Sequence, residues 1–130
     1  MREVLFRGKR ISNSKWVEGF MYSQHFPLEF RDDFYIRCYD TDYLVIPETV
    51  GQYTGLTDKN GTKIFEGDIV SLTKWNGLVY KVVYDNCRYE LHNDNETCCY
   101  VLSIYKSKDI IVIGNIHDNP EILKGGGENG

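Results

Sequence analysis

Residues 46–70 read IPETVGQYTGLTDKNGTKIFEGDIV, and turn-forming residues recur so often in this stretch that it decides the fold. Asn60 and Gly61 are the favoured pair for a two-residue type I′ hairpin turn, in which both central residues need a positive φ. Residues 52–57 and 62–65 on either side should therefore lie close together as paired strands. The centre of the chain is predicted to be a tight β-hairpin.

The same stretch contains further points at which the backbone is expected to turn. Pro47 can open a short helical turn, since proline is favoured at the first helical position. Gly51 and Gly55 allow a bulge or a positive φ on either side of Tyr53. Residues 66–68, Glu-Gly-Asp, predict a sharp turn into the next strand.

Elsewhere in the chain, short apolar segments are separated by Gly, Asn and Asp, which is typical of an all-β sandwich or barrel. The predicted strands cover residues 2–7, 16–22, 34–38, 69–75, 78–84, 88–91 and 110–115. A second Asn-Gly hairpin turn is expected at Asn76 and Gly77, and residues 100–105 fit a buried strand or a single helical turn equally well. Asn119 is expected to cap a terminal helical turn that begins with Pro120.

Two parts of the N-terminal region leave alternatives open. Trp16, Phe20 and Tyr22 fall on one face of the predicted strand 16–22, and packing of that face against the core is favoured over an exposed aromatic site. Residues 23–43 give weaker signals, with one clear strand among them. A connector is favoured there over a functional loop held on a rigid scaffold.

Charge is distributed unevenly along the chain. The 130 residues, enough for one domain, include 15 basic and 19 acidic side chains, and the net charge of −4 argues against wholesale wrapping of nucleic acid. Residues 1–15 nevertheless carry five basic residues and one acidic residue, a local net of +4. This segment is either a solvated basic edge or a patch for phosphate or an acidic partner. The candidate partner-binding residues within it are Arg7, Lys9, Arg10 and Lys15.

The four cysteines show no C-x-x-C spacing, so reduced thiols in a cytoplasmic protein are expected. Cys87, His92, Cys98 and Cys99 form the alternative metal-ligand set, whose spacing matches no common zinc finger. We therefore predict no metal and no cofactor. Charges interrupt the N-terminus, and the longest uncharged apolar run, residues 110–116, is too short to cross a bilayer, so no membrane association is expected.

Three blocks of sequence carry a family resemblance. They are Arg-Gly-Lys-Arg at residues 7–10 followed by Trp-Val-x-Gly at 16–19, the central residues 45–70, and VIGNIHDNPEIL at 112–123. With these blocks in this order, the chain resembles the YopX family, small proteins encoded by bacteriophages, prophages and related mobile elements of bacteria. The resemblance spans most of the chain and departs in the middle loop and in residues 87–108.

The resemblance implies a mainly β fold: an SH3-like small β-barrel core with an N-terminal β elaboration and at most short helical turns. Residues 1–124 would form one domain, divided into the elaboration at 1–45 and the barrel core at 46–118, with a flexible tail at 125–130. The family brings no assigned reaction, and its motif positions look structural. These positions are Trp16, Gly51, Tyr53, Gly55, Asp58, Asn60, Gly61, Gly67, Asp68, Gly114, Asn115, Asn119 and Pro120.

The function favoured by these observations is a non-catalytic binding module of a bacterial host cytoplasm, acting on a protein partner or by self-association. Nucleic acid is disfavoured as a partner by the net charge. One alternative is a small enzyme that uses Glu66 with Asp68, or Asp85 with His92, as general acid and base. We expect no enzyme, since no nucleophile accompanies these pairs. A structural or homo-oligomeric accessory protein is the other alternative.

Overall fold

The computed structural model describes residues 4–73, 78–93 and 100–126, the last three by their backbone alone. The chain divides into two compact units, Met1–Tyr53 and Thr54–Gly130. Both are built from antiparallel strands, and the described residues contain one α-helix, so the mainly β prediction is confirmed. No helix among the described residues is long and apolar enough to cross a membrane.

The first unit is a continuous antiparallel sheet in the order β4-β3-β2-β1-β5. Its strands are β1 (Phe6–Lys9), β2 (Trp16–Phe26), β3 (Arg31–Cys38), β4 (Thr41–Val45) and β5 (Gly51–Thr57), whose last residues belong to the second unit. A 3₁₀ turn at Pro47–Thr49 precedes β5, which confirms the helical turn expected at Pro47. In β5, Gly55 has a positive φ, while Gly51 lies buried opposite Arg7 without one.

The end of β4 returns to the end of β1 within this unit. Arg10 forms a β-bridge with Val45, and the Ile46 N–H donates a hydrogen bond of 2.9 Å to the Lys9 carbonyl. The Ile11 N–H likewise donates to the Leu44 carbonyl at 3.0 Å. These bonds hold the basic segment of β1 beside β4 as well as beside β2.

The connector expected over residues 23–43 is wrong. β2 continues to Phe26, β3 begins at Arg31, and the two strands pair over seven successive residue pairs. A 3₁₀ turn at Pro27–Glu29 joins them, closed by Phe30 at a φ of 51°. Exposed and half-exposed residues occur on both faces of this hairpin, so the chain lacks the alternation of apolar and polar residues that usually marks a strand.

The second unit contains a sheet in the order β10-β9-β8-β7-β11, with β6 beside the end of β5. Its elements are β6 (Lys63–Phe65), β7 (Asp68–Leu72), β8 (Leu78–Asp85), β9 (Arg88–His92), β10 (Tyr100–Val101), β11 (Ile110–Asn115) and α1 (Pro120–Gly126). Its core is one cluster of buried residues: Ile64, Val70, Leu72, Tyr80, Val82, Leu91, Leu102 and Ile110. These residues alternate along β7 and β8, as expected for strands that cover a core with one face.

The central hairpin forms as expected, but the predicted turn type is wrong. The Gly61 N–H donates to the Asp58 carbonyl and the Asp58 N–H to the Thr62 carbonyl, while positive φ occurs at Gly61 and not at Asn60. This is a type I turn followed by a left-handed glycine, a three-residue loop, instead of a two-residue type I′ turn. The Asp58 side chain favours the three-residue loop, because its Oδ1 accepts hydrogen bonds from the N–H groups of Asn60 and Thr62.

Two buried aspartates close the turns of this unit. Asp58 is 3% exposed, and its Oδ2 accepts a hydrogen bond of 2.9 Å from the Val112 N–H, so the loop is tied to β11. Asp68 accepts the Phe65 N–H at 2.7 Å across the turn in which Gly67 has a positive φ. These contacts agree with the structural roles that the family resemblance implies for both aspartates.

Several local predictions have mixed outcomes. Residues 100–105 contain both expected alternatives, strand β10 followed by a 3₁₀ turn at Leu102–Ile104. The helix starts at Pro120 as expected and extends to Gly126, while residues 127–130 of the predicted tail lie outside the described residues. Asn76 and Gly77 also lie outside them. No closed barrel is found among the described strands, so the SH3-like barrel and the single domain at 1–124 stay predictions.

Candidate functional site

An open groove of about 850 Å³ lies in the first unit. It is bounded by residues from β2, the end of β3, the β3–β4 turn and β4, together with the residue just before β1: Leu5, Trp16, Val17, Glu18, Gly19, Phe20, Arg37, Cys38, Tyr39 and Tyr43. Four of these ten side chains are aromatic, and two are charged. Aromatic and aliphatic walls with a few polar groups are typical of ligand-binding clefts.

The aromatic face of β2 points into solvent and towards this groove, so the expectation that it packs against the core is wrong. Trp16 is half-buried, Phe20 is 69% exposed, and Tyr22 is also exposed. The ring of Tyr22 stacks on that of Tyr35 in β3, with centroids 5.1 Å apart. Strand periodicity correctly identified the residues that share this face. It did not show that the opposite face, where Gly19 approaches the buried Ile36, is the covered one.

Gly19 brings the backbones of β2 and β3 close together at the groove. A Cβ atom at this position would lie 2.0 Å from the Arg37 carbonyl oxygen, which belongs to the backbone and cannot move aside cheaply. Glycine is therefore required at residue 19 by the approach of the two strands. The close approach places Phe20 and Arg37 opposite each other at the edge of the groove.

Tyr39 stands at the tip of the β3–β4 hairpin and forms another part of the groove wall. It occupies a two-residue turn between the paired residues Cys38 and Thr41, at a φ of 55°. Bulky residues rarely adopt this conformation. The side chain is 95% exposed, so burial does not compensate the backbone strain within the unit.

Three of the four predicted partner-binding residues contact aromatic rings that line the groove. The guanidinium carbon of Arg7 lies 4.7 Å, and Nζ of Lys9 5.7 Å, from the ring centroid of Trp16. The guanidinium carbon of Arg10 lies 4.4 Å from the centroid of Tyr43. Lys15 is exposed and directly precedes Trp16 in the chain. The basic segment thus borders the groove through its contacts with Trp16 and Tyr43.

A smaller cleft of about 270 Å³ adjoins the groove at Tyr43, which lines both hollows. Its walls are formed by Arg10, Ile11, Ser12, Asp42, Tyr43 and Leu44. Asp42 is already paired, since both of its carboxylate oxygens accept hydrogen bonds from Arg37 Nη1 at 3.1 and 3.0 Å. We call this hollow the side cleft.

A second cluster of charged residues lies in the second unit, around Glu90. The residue is 1% exposed, and its carboxylate accepts hydrogen bonds from Arg88 Nε at 2.7 Å and from Asn86 Nδ2 at 3.3 Å. Nε2 of His92 lies 2.9 Å from the other oxygen. The hydrogen bond to His92 and then that to Arg88 lower the pKa of Glu90 to about 2, against the effect of burial.

Donor atoms of Asp85, Glu90 and His92 lie within 4.8 Å of one another, so these side chains could reach a common cation. Both oxygens of Glu90 already have partners, however, and a metal ion would have to displace the Arg88 guanidinium. We read the cluster as a buried ion-pair network that holds the β8–β9 hairpin. Sequence patterns did not predict Glu90, because a glutamate in a short strand normally indicates a solvent-facing position.

The described cysteines and the other predicted acid–base pair are not part of this network. Cys38 and Cys87 carry free thiols, the first in the groove wall and the second exposed in the β8–β9 turn, while Cys98 and Cys99 lie outside the described residues. The predicted pair of Glu66 and Asp68 flanks the β6–β7 turn, where the carboxylate of the latter is engaged by the backbone.

These observations define the class of protein: a mainly β chain of two units. One unit has a groove lined by aromatic residues and bordered by basic ones, and the other has a packed sheet with many tight turns. The family model described as YopX protein matches residues 5–124. The chain belongs to the YopX family. No curated protein matches it.

Two solved structures resemble most of the chain. A crystal structure of protein EF1440 from Enterococcus faecalis aligns with a TM-score of 0.58 and 24% identity, over 95% of this chain and 99% of the other. An X-ray structure of protein yopX from Bacillus subtilis aligns with a TM-score of 0.54 and 13% identity, over 95% and 97% of the two chains. At these identities the likeness shows the fold alone.

Proposed function

We propose that the protein is a non-catalytic binding module that holds a segment of a protein partner in the groove of the first unit. The observation that carries the proposal is Tyr39, which is 95% exposed at a φ of 55° beside the 69% exposed Phe20. Strained backbone and exposed aromatic surface both cost free energy, and both are common where a partner binds. Trp16 and Tyr43 complete an aromatic surface of the kind enriched at protein interfaces.

The chemistry of the groove agrees with binding better than with catalysis. Its charged lining residues are Glu18 and Arg37, and the arginine is paired with Asp42. Acid–base catalysis needs a titratable group held close to the reacting atoms with a pKa matched to its task. Neither charged residue of the lining shows such a pairing with a nucleophile among the described residues.

We further place this binding activity in the cytoplasm of a bacterium that carries a phage or prophage, which rests on the family resemblance. The SH3-like barrel that the resemblance implies for residues 46–118 belongs to the same proposal. An experimental structure in which the strands of this segment form an open sheet would remove the barrel without affecting the groove.

The binding proposal is tested by site-specific photo-crosslinking. The full chain, carrying p-benzoylphenylalanine at position 39, is produced in a bacterial host and irradiated, and crosslinked species are identified by mass spectrometry. Ile104 supplies the control position, because its side chain is 69% exposed and lies in the second unit. We expect a discrete protein adduct from position 39 that is absent from position 104.

A second variant ties the adduct to the groove. Phe20→Ser, introduced together with the probe at position 39, should abolish the adduct, whereas Ile104→Ser should leave it unchanged. An adduct with another copy of the chain would assign the groove to self-association. Identical background labelling from both probe positions would contradict the proposal.

A further inference from the structure

The groove and the side cleft share one lining residue. Tyr43 lines the two hollows, which measure about 850 and 270 Å³. The larger has the aromatic and aliphatic walls that accept apolar side chains. The smaller contains Arg10, whose guanidinium lies against the Tyr43 ring. An apolar anchor and a polar group of one ligand would therefore lie side by side.

Arg10 is a cation held in place without a carboxylate partner among the described residues. Asp42 is the acidic residue of the side cleft, and its two oxygens are engaged by Arg37. The cation–π contact positions the Arg10 guanidinium but does not neutralise its charge. An anionic group entering the side cleft would meet this charge in a partly desolvated setting, where ion pairs are stronger than in water.

The charges around the groove favour an acidic ligand over a basic one. Four cations, Arg7, Lys9, Arg10 and Lys15, belong to the basic segment, which contacts the groove through Trp16 and Tyr43. The chain as a whole has a net charge of −4, so this segment is a local reversal of sign. Such a patch attracts acidic partners during encounter and repels basic ones.

A peptide fits this arrangement better than a nucleic-acid strand. Glu18 lines the groove, and Asp42, which is paired with Arg37, lines the side cleft together with Arg10. A phosphate backbone carries a charge at every nucleotide and would pass these carboxylates, whereas a peptide can place one carboxylate beside Arg10 and turn its apolar side chains to the groove.

We propose that the segment bound by the groove is an acidic peptide: an apolar or aromatic side chain enters the groove, and a carboxylate next to it pairs with Arg10 in the side cleft. The inference rests on the proposed binding function and names the chemistry of its partner. Arg10 then selects an acidic ligand by pairing with its carboxylate, and Phe20 and Tyr39 contact the apolar side chain.

Fluorescence anisotropy with the full chain tests this pairing. Three labelled peptides of equal length share a Trp-Leu centre and are flanked by Asp and Glu, by Asn and Gln, or by Lys; a labelled oligothymidine is the fourth probe. We expect the acidic peptide to bind about tenfold more tightly than the neutral one at low salt, with the lysine peptide weakest. The preference should shrink as salt is added, because ions screen the pair.

Variants assign the preference to one residue. Arg10→Gln should reduce the affinity for the acidic peptide to that of the neutral peptide, while Arg10→Lys keeps most of the difference. Lys108→Gln is the matched control, since it removes an exposed charge from the second unit. Near-ultraviolet circular dichroism establishes that each variant is folded. If the acidic preference survives in Arg10→Gln, the assignment to Arg10 is wrong.

The outcomes separate this inference from the proposed function. Equal binding of the acidic and neutral peptides would overturn the inference and leave the groove as a docking site. An adduct from position 39 in cells, with no binding of any of the three peptides, would also overturn it and leave the proposed function standing. Tighter binding of oligothymidine than of the acidic peptide, with no protein adduct, would overturn both.

Discussion

The two units of the chain use their apolar residues in opposite ways. Among the described residues, the second unit buries eleven large apolar side chains and exposes four, whereas the first unit buries three and exposes eight. The three buried in the first unit are Ile36, Val45 and Tyr53. Because burial of such a side chain contributes about 1.5–3 kcal/mol, the first unit forgoes stability that the second unit gains.

The exposed side chains of the first unit are concentrated at hairpin tips and around the groove. Leu28 and Phe30, both 94% exposed, lie in the β2–β3 turn, and Tyr39 lies in the β3–β4 turn. In the second unit, the motif residues are used for turn closure by buried hydrogen bonds, as at Asp58. The family motif residues and the residues proposed for binding are therefore largely different sets.

The strongest test of the comparison is Asp58→Ala in the second unit. The substitution leaves three backbone N–H groups, those of Asn60, Thr62 and Val112, without their acceptor, so we expect a loss of about 3 kcal/mol in the free energy of unfolding. Urea denaturation measures it. Asp40→Ala, at an exposed position of a first-unit turn, is the control and should change stability by less than about 0.5 kcal/mol. Equal effects of the two substitutions would remove the distinction between the units.

Gly61→Val should have the next largest effect. The residue has a φ of 82°, and no heavy atom lies within 4 Å of the position that a Cβ atom would take. The cost therefore comes from the backbone conformation and not from a clash. Forcing a β-branched residue into this conformation should destabilise the protein by roughly 1–3 kcal/mol. Gly61→Asn is the control and should cost less, because asparagine tolerates positive φ. An unchanged denaturation midpoint for the valine variant would contradict the turn assignment.

The success at this hairpin and the failure at the groove have a common physical reason. Turn chemistry is local, so Gly61, Gly67 and Asp68 could be interpreted from neighbouring residues alone. Strand alternation shows which residues share a face, but which face is covered depends on distant strands. The aromatic face of Trp16 was therefore assigned to the core although it lines a groove.

The sequence patterns also do not predict polar contacts between residues on one face of a strand. Glu90 is buried because Arg88 and His92 lie two residues away on the same strand and neutralise it. The sequence patterns also fail to predict a type I′ turn that occurs among the described residues. It lies at Asn86 and Cys87, whose φ values are 53° and 61°, and cysteine does not signal such a turn.

Acid should unfold the protein through the buried carboxylates of the second unit. Hydrogen bonds from His92 and Arg88 lower the pKa of Glu90 from its ordinary 4.5 to about 2. Although burial alone would raise it, backbone hydrogen bonds from Val112, Thr62 and Asn60 lower the pKa of Asp58 as well. A depressed carboxylate pKa adds stability that is present above the unfolded-state pKa and is lost as pH falls through the folded-state pKa.

We therefore expect the urea midpoint to stay level between about pH 7 and 5 and to fall between about pH 4.5 and 2. In Glu90→Gln the midpoint should be lower at neutral pH, and its fall in acid should be shallower, because one of the linked groups no longer titrates. If the main loss of stability came already between pH 7 and 5, the carboxylates could not be its source.

A smaller gain of stability is expected from Cys87→Gly. The turn Asn86-Cys87 requires positive φ at both positions, and it joins the paired residues Asp85 and Arg88. Glycine removes the strain at the second position at some cost in unfolded-chain entropy, for a net gain of about 0.5–1 kcal/mol. Thermal unfolding checks it. Cys87→Ser keeps the strain and should leave the melting temperature nearly unchanged; a gain in the serine variant would show that the thiol, and not the turn, is responsible.

The smallest effect on stability is expected from Arg10→Ala in the first unit. Its guanidinium contacts Tyr43 at the surface of the unit, and a cation–π contact of this kind contributes about 0.5 kcal/mol. The denaturation midpoint should thus barely change, while the affinity for an acidic peptide falls. If unfolding instead became easier by more than about 1.5 kcal/mol, the basic segment would be a structural element like the turns of the second unit. An unchanged stability with a lost affinity is the result that separates the two units, because Arg10 would then serve binding without supporting the fold, whereas removal of the Asp58 carboxylate weakens the fold.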